Sequence, residues 1–258
     1  GGAEFTLDGR QYRLSANDNG NTLHGGFTGI DRLLWSVDEQ TEDSITFSLV
    51  DPAGNDGWPG NLQIVMKYTL TPDNAFKVEY KAVTDAPTLV NLSHHTFFNL
   101  TGDASKSILD HELMIKADTY IPVDGKLIPT GEIAPVEGTA FDFRTPKAIG
   151  RDILAADSQL ANGGGYDHNW EVYCNPCAIL SDPVSGRTME VHTDCPGIQF
   201  YSGNYLNEHG KNGIYYGKHS GIALETQFWP DSVNHLDWPQ PFVRAGELYR
   251  SETRYVFY

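Results

Sequence analysis

Leu62-Gln63-Ile64-Val65-Met66-Lys67-Tyr68-Thr69-Leu70, the break Thr71-Pro72-Asp73-Asn74, and then Ala75-Phe76-Lys77-Val78-Glu79-Tyr80-Lys81-Ala82 form the stretch that decides the fold. Leu62, Ile64, Met66, Tyr68 and Leu70 alternate with Gln63, Lys67 and Thr69, and Phe76, Val78, Tyr80 and Ala82 alternate with Lys77, Glu79 and Lys81. Side chains of a strand point to opposite faces in turn, so this period of two predicts paired strands with one face in a core. The Pro-Asp-Asn step between them carries turn chemistry.

The same pattern extends both ways. Ile45, Phe47 and Leu49 alternate with Thr46 and Ser48, and 51–57 (Asp-Pro-Ala-Gly-Asn-Asp-Gly) separates that strand from the next. Further strands are expected at 89–100, 113–121, 188–192, 198–201, 222–228 and 253–258. Only 146–160 suggests a helix, through Ile149, Ile153 and Leu154 at loose helical spacing. Many short antiparallel strands with Gly- and Pro-rich turns predict an all-β fold, a sandwich or barrel. With no linker, low-complexity run or internal repeat, residues 1–258 read as one domain.

Composition narrows the function. The 258 residues are 40% hydrophobic and 20% charged, as in a folded globular chain. A formal charge of −16 repels phosphate backbones and anionic lipid, so neither nucleic acid nor a membrane is an expected partner, and a neutral small molecule fits best. No apolar run is long enough to cross a bilayer. The three cysteines form no disulfide framework. Cys174-Asn-Pro-Cys177 lacks a second ligand pair and reads as ordinary thiols. The start, Gly1-Gly2-Ala3-Glu4-Phe5, has neither a basic nor an apolar leader region, and a cytoplasmic location is the expectation.

Histidine exchanges protons most readily near neutral pH, so the nine histidines are the first place to look for chemistry. His24 stands before Gly25-Gly26, His94 and His95 lie in Asn91-Leu-Ser-His-His-Thr-Phe-Phe-Asn-Leu100, and His168 follows Asp167. Taken singly, each is explained equally well as a turn or hydrogen-bonding residue. Strand alternation predicts that His94 and His95 face opposite ways, so that only one points into a given site. Glu225 sits in Gly221-Ile-Ala-Leu-Glu225-Thr-Gln-Phe-Trp-Pro-Asp231. A Glu in so apolar a strand is paired, protonated or functional, unless it lies on a half-exposed polar face. Burial also raises a carboxylate toward the range of a general base. Phe97, Phe98, Tyr166, Trp170, Phe200, Tyr201, Phe228 and Trp229 crowd these segments. Rings beside polar groups suit a sugar, whose C–H faces stack while its hydroxyls hydrogen-bond.

Beyond single residues, the chain resembles the aldose 1-epimerase family. The matching segments are 21–26 (N-x-L-H-G-G), 91–100 (N-L-x-x-H-x-x-F-N-L), 118–122 with 127–132 (D-x-Y-x-P and L-I-P-T-G-E), 138–142 (G-T-A-F-D), 166–169 (Y-D-H-N), 196–204 (P-G-I-Q-F-Y-S-G-N) and 218–231 (K-H-S-G-I-A-L-E-T-Q-F-W-P-D). They follow the family's order from near the first residue to near the last. The resemblance implies a wide antiparallel β-sandwich of the galactose mutarotase-like supersandwich type, with few short helices and its site in a cleft across one sheet. It implies no metal and no cofactor, and a free aldohexose such as galactose or glucose as the small-molecule partner. It places the general base at Glu225 and the general acid at His95. His24, Asp167, Gln199, Thr96 and Phe97 are the expected sugar-contacting residues. His94 stands where the family more usually has Asn. The family's N-terminal strands end in a G-R-x-x-N-R-I motif whose second arginine contacts sugar. The resemblance starts about one residue after that motif, so those strands are expected to be absent from this chain.

The implied activity is anomer interconversion by acid–base ring opening. Two rivals remain: a glycosidase pairing Glu225 with Asp167, and a non-catalytic carbohydrate-binding module.

Overall fold

A computed structural model describes residues 1–258 and is built almost wholly of strands. The chain forms two compact units, Gly1–Leu92 with Asp231–Thr253, and Ser93–Pro230 with Arg254–Tyr258.

The first unit carries the meander anticipated from the alternation. Strands Ser36–Gln40, Ser44–Asp51, Leu62–Leu70 and Ala75–Thr84 pair antiparallel in that order, with Leu62 opposite Thr84 and Leu70 opposite Phe76. The turn between the last two closes as Thr71 N–H donates to Ala75 C=O at 2.8 Å, with Asn74 in the left-handed region at φ 57. Asn tolerates that region better than most residues. The inward set Ile64, Val78, Tyr80 and Ala82 is buried. A hairpin of Glu4–Leu7 and Arg10–Arg13 adds Phe5, which stacks on Tyr12 at 5.2 Å and on Trp58 at 5.8 Å.

The second unit holds a six-stranded antiparallel sheet, ordered Ala134–Pro135, Thr119–Ile121, Asp167–Glu171, Gly197–Tyr201, Ile222–Gln227 and Phe97–Phe98. It also holds strands Lys147–Ala148, Glu112–Ile115, Ala178–Ser181 and Thr188–Thr193, paired in that order. The end of the last strand, Tyr249–Phe257, packs behind the six-stranded sheet: Tyr255 lies 4.9 Å from Phe98 and donates its hydroxyl to Leu224 C=O at 3.1 Å. This is sandwich packing, and large antiparallel sheets make the fold all-β as expected.

Between the layers lies an aromatic core. Tyr120 stacks on Phe141 at 4.3 Å, Tyr166 on Phe200 at 5.0 Å, and Trp170 sits 5.9 Å from Phe200. Tyr166, Phe141, Phe200 and Trp170 are fully buried, and burial of each ring contributes roughly 2 kcal/mol. Trp170 Nε1 donates to Phe141 C=O at 3.1 Å and Tyr166 Oη to Ala140 C=O at 3.0 Å, so neither polar tip is stranded in the core.

Three expectations change. The strand expected at 89–100 is two short ones, Thr88–Leu89 and Phe97–Phe98, with no strand at 90–96. The span 113–121 divides into Glu112–Ile115 and Thr119–Ile121, which join different sheets. The helix expected at 146–160 is instead a two-residue strand at Lys147–Ala148 and a 3-10 turn at Ile149–Arg151, while the α-helix is Ser158–Gly163. Asp157 caps that helix by accepting from Gln159 N–H and Leu160 N–H, and Gly164 ends it at φ 64. No helix is long and apolar enough to cross a membrane.

Candidate active site

Register places the site. Across the six-stranded sheet, Asp167 pairs with Tyr201, Tyr201 with Ala223 and Ala223 with Phe97. One step along, Asn169 pairs with Gln199 and Gln199 with Glu225. Residues directly opposite share a face, so these rows present their side chains together. The intervening His168, Trp170, Ile198, Phe200, Ile222 and Leu224 are buried on the other face.

Glu225 is buried on this face, 8% exposed on the doubly paired strand Ile222–Gln227. Burial, reinforced by the nearby Asp167 charge, pushes its carboxyl up to about 8. Asp167 rises to about 6, also by burial, and one hydrogen bond from Gln199 Nε2 at 2.8 Å opposes that rise. Gln199 Oε1 is buried with no hydrogen-bond partner, and the same holds for both amide atoms of Asn169. Such groups cost stability unless the site uses them.

His95 reaches this face from the segment before the Phe97–Phe98 strand. Its Nε2 lies 3.6 Å from Glu225 Oε1. The ring packs against Phe97 at 4.9 Å and edge-on to Tyr201 at 6.3 Å, and Phe97 meets Tyr201 at 6.1 Å. His95 and Phe97 are among the more open residues here, 36% and 40% exposed, whereas Glu225 is covered. Thr96 Oγ1 is hydrogen-bonded to His94 Nδ1 at 2.7 Å. The opposite-face expectation for His94 and His95 rested on a strand that does not form at 90–96. Burial, and then the neighbouring His95, lowers the His94 pKa.

Asp167 is delivered by Gly163-Gly164-Gly165-Tyr166. His168 turns into the core, where burial holds it down to about 3, and its Nδ1 accepts from Asp167 N–H at 3.1 Å. A neutral, inward histidine is a structural partner and not a proton shuttle.

His24 belongs to the first unit, in a loop at φ 51 followed by Gly25 and Gly26 at φ 89 and 114. Asn17 Nδ2 donates to Leu23 C=O and Gly26 C=O, and Trp58 Nε1 donates to Gly25 C=O at 2.8 Å. Asp56 accepts from Phe27 N–H and Thr28 N–H. Burial lowers the His24 pKa, with Asp31 and Asp18 opposing.

Within the second unit, His95, Phe97, Asp167, Gln199 and Glu225 therefore come together on one face. Tyr201 and Asn169 were not singled out as site residues. Their signal was the same period of two that marks Gln199, since Tyr201 is two residues beyond it and Asn169 two beyond Asp167. No three His, Cys, Asp or Glu side chains converge in a way that could hold a metal ion. Chemically, the face offers a covered carboxyl of high pKa, a more open imidazole beside it, and amide and carboxylate acceptors around them.

Comparison with known proteins gives this geometry a context. The family described as "Aldose 1-epimerase" matches residues 1–256. Galactose mutarotase from Homo sapiens is 45% identical over 98% of this chain and 74% of its own length. Aldose 1-epimerase from Escherichia coli K12 is 39% identical over 99% of this chain and 75% of its own. The crystal structure of an aldose epimerase homologue from C. elegans superposes with a TM-score of 0.91 at 30% identity, covering 100% of this chain and 78% of that one.

Proposed function

Because the chain belongs to the aldose 1-epimerase family and is an isomerase of that activity, we propose that it interconverts the α and β anomers of free galactose or glucose with Glu225 as base and His95 as acid. The observation that carries this reading is the 3.6 Å approach of His95 Nε2 to Glu225 Oε1, with the carboxylate covered and the imidazole more open.

The pair works with one proton between its members. With that proton on His95, the Glu225 carboxylate takes the proton of the C1 hydroxyl as the C1–O1 bond becomes a carbonyl. The C1–O5 bond breaks, its electron pair goes to O5, and His95 protonates that oxygen. Rotation about C1–C2 presents the other carbonyl face. O5 then attacks C1, His95 takes its proton back, and Glu225 returns a proton to O1. No atom is gained or lost. A base and an acid on different oxygens is what hemiacetal opening requires.

Asp167 and Gln199 hold sugar hydroxyls in this reading, so that C1 alone turns. Phe97 offers a ring to the sugar's C–H face, and Thr96 fixes the neighbouring His94. His24 is proposed as a sugar contact on the strength of its N-x-L-H-G-G motif. Residues 1–258 are proposed to act as one functional domain.

Polarimetry of freshly dissolved α-D-galactose tests the proposal. The expected result is acceleration by the intact chain and its loss in Glu225→Gln. No acceleration by the intact chain would sink it. Release of an aryl group from an aryl galactoside would point to a hydrolase, and galactose binding without turnover to a binding module.

A further inference from the structure

We propose that Asn204 is a positioning residue of the sugar site, holding Asp167 and Tyr201 in fixed relation through a closed ring of contacts. The inference rests on the assignment of Asp167 as a sugar-hydroxyl contact.

Asn204 is 5% exposed and lies outside every strand, after Gly197–Tyr201. Its Nδ2 donates to Gly163 C=O at 2.8 Å and to Tyr166 C=O at 2.9 Å. Both carbonyls belong to the segment that leads into Asp167. Its Oδ1 accepts from Ser202 Oγ at 2.5 Å, and Ser202 Oγ accepts from Tyr166 N–H at 3.1 Å. One amide therefore joins two acceptors and a donor in a buried place, where Tyr166 C=O also accepts from Ser202 N–H at 3.0 Å and Ser202 and Tyr166 are fully buried.

The same turn ties down Tyr201. The peptide N–H of Tyr205, next in the chain after Asn204, donates to the Tyr201 hydroxyl at 2.8 Å. Tyr201 is the direct cross-strand partner of Asp167 and stands edge-on to His95. The circuit runs from Asp167 across the ladder to Tyr201, through its hydroxyl to Tyr205, through Asn204 to Tyr166, and back to Asp167. Each link is a hydrogen bond, a ladder pairing or a peptide bond.

Two glycines show how closely the circuit is fitted. Gly165 has φ 145, and a Cβ there would stand 2.3 Å from Asn204 Oδ1. Gly203 has φ 68, and a Cβ there would stand 2.5 Å from Gly221 C=O. Only glycine permits both the backbone conformation and the approach. On its outer side, His219 Nδ1 donates to Ser202 C=O at 2.7 Å, and His219 N–H donates to Gly203 C=O at 2.9 Å.

The circuit closes on the backbone that carries Asp167. That carboxylate has one hydrogen bond of its own, from Gln199. Its placement is otherwise set by the backbone on which it rides, and small misplacements of a substrate-orienting group are expensive.

The test is a double-mutant cycle on KM for α-D-galactose. Asn204→Asp keeps size and Oδ1 but turns an acceptor toward two carbonyls. It is expected to raise KM about tenfold in the native background and less than about twofold in an Asp167→Asn background, with kcat changed less than about threefold. An unchanged KM in Asn204→Asp, or an equal rise in both backgrounds, would overturn the proposal, the second because a merely structural loss acts everywhere. An unchanged KM in Asp167→Asn alone would overturn the assignment of Asp167 and the proposal with it. If Asn204→Asp does not fold, Ser202→Ala removes one bond of the circuit, and a rise of about threefold with the same dependence on Asp167 is expected.

Discussion

His95 Nε2 stands 3.6 Å from Glu225 Oε1, too far for a hydrogen bond and near enough for each group to sense the other's charge. In the proposed mechanism the pair is active while it holds one proton. Glu225 is raised to about 8, so kcat/KM is expected to fall above that pH as the last proton leaves. Asp167 is raised to about 6, and below that pH it becomes a neutral acid and a poorer acceptor. A bell with limbs near these two values is expected from polarimetric rates. Asp167→Asn should remove the dependence of KM on the acid side, and an acid limb that survives unaltered would contradict this account.

Replacing the base separates activity from stability. Glu225→Gln should lower kcat by roughly 10²- to 10⁴-fold. Because the folded-state pKa lies above the ordinary 4.5, the carboxyl's contribution to stability is intact below about 4.5 and lost as pH rises through about 8. Glu225→Gln should therefore unfold like the parent at pH 4.5 and later than the parent at pH 9, by on the order of 2 kcal/mol. Urea unfolding at the two pH values measures the difference. A variant less stable at pH 9 would refute it.

Gln199 restrains Asp167 by a single 2.8 Å hydrogen bond that opposes the effect of burial. Gln199→Leu removes the donor and leaves the burial. The acid limb of the KM profile is expected to move to higher pH, and KM at pH 7 to rise by about fivefold or more. A KM profile superimposable on the parent's would show that the amide does not set the charge of Asp167.

Gly197 lies on the site face where a Cβ would meet Asn169 Oδ1 at 2.5 Å and Trp229 Cδ1 at 2.7 Å. Gly197→Val should cost about 1–3 kcal/mol by overpacking, read as a lowered urea midpoint with unchanged slope. Asn169 and Trp229 are themselves 2% and 3% exposed, so neither can swing into solvent cheaply. A midpoint equal to the parent's would mean that this packing gives way more easily than the geometry implies.

The sequence made the meander and the Ile222–Gln227 strand legible because their apolar residues recur at the strand period. Asp167–Glu171 escaped notice for the opposite reason: Asp-His-Asn-Trp-Glu offers little apolar contrast, and a buried histidine takes one of the core positions. The span 113–121 read as continuous because Ala117, between its two strands, keeps the alternation of Leu113 and Ile115 and is buried as they are. Helical spacing of Ile149, Ile153 and Leu154 misled in a similar way: the first two are buried from a 3-10 turn and its sequel, while Leu154 is 92% exposed. For the site, Glu225 stood out as a carboxylate among apolar residues. The residues could not separate His95 from His94, because 90–96 follows no strand period, and only the motif did so. Asn204 carries no chemistry visible in isolation, and its importance depends on three carbonyl and hydroxyl partners brought together by folding.

One regularity of the six-stranded sheet reaches further than any single contact. Every residue that the strands Phe97–Phe98, Asp167–Glu171, Gly197–Tyr201 and Ile222–Gln227 present on the site face is odd-numbered: 97, 167, 169, 171, 197, 199, 201, 223, 225 and 227. Function in this sheet is therefore a matter of parity. Inserting one residue before Ile222 would leave a strand of the same composition free to pair, but would swing the carboxylate toward the aromatic interior and bring leucine or threonine to the sugar. The neighbouring strands would keep the old count, so the fault would lie in phase alone, and a second insertion beside the first could restore it.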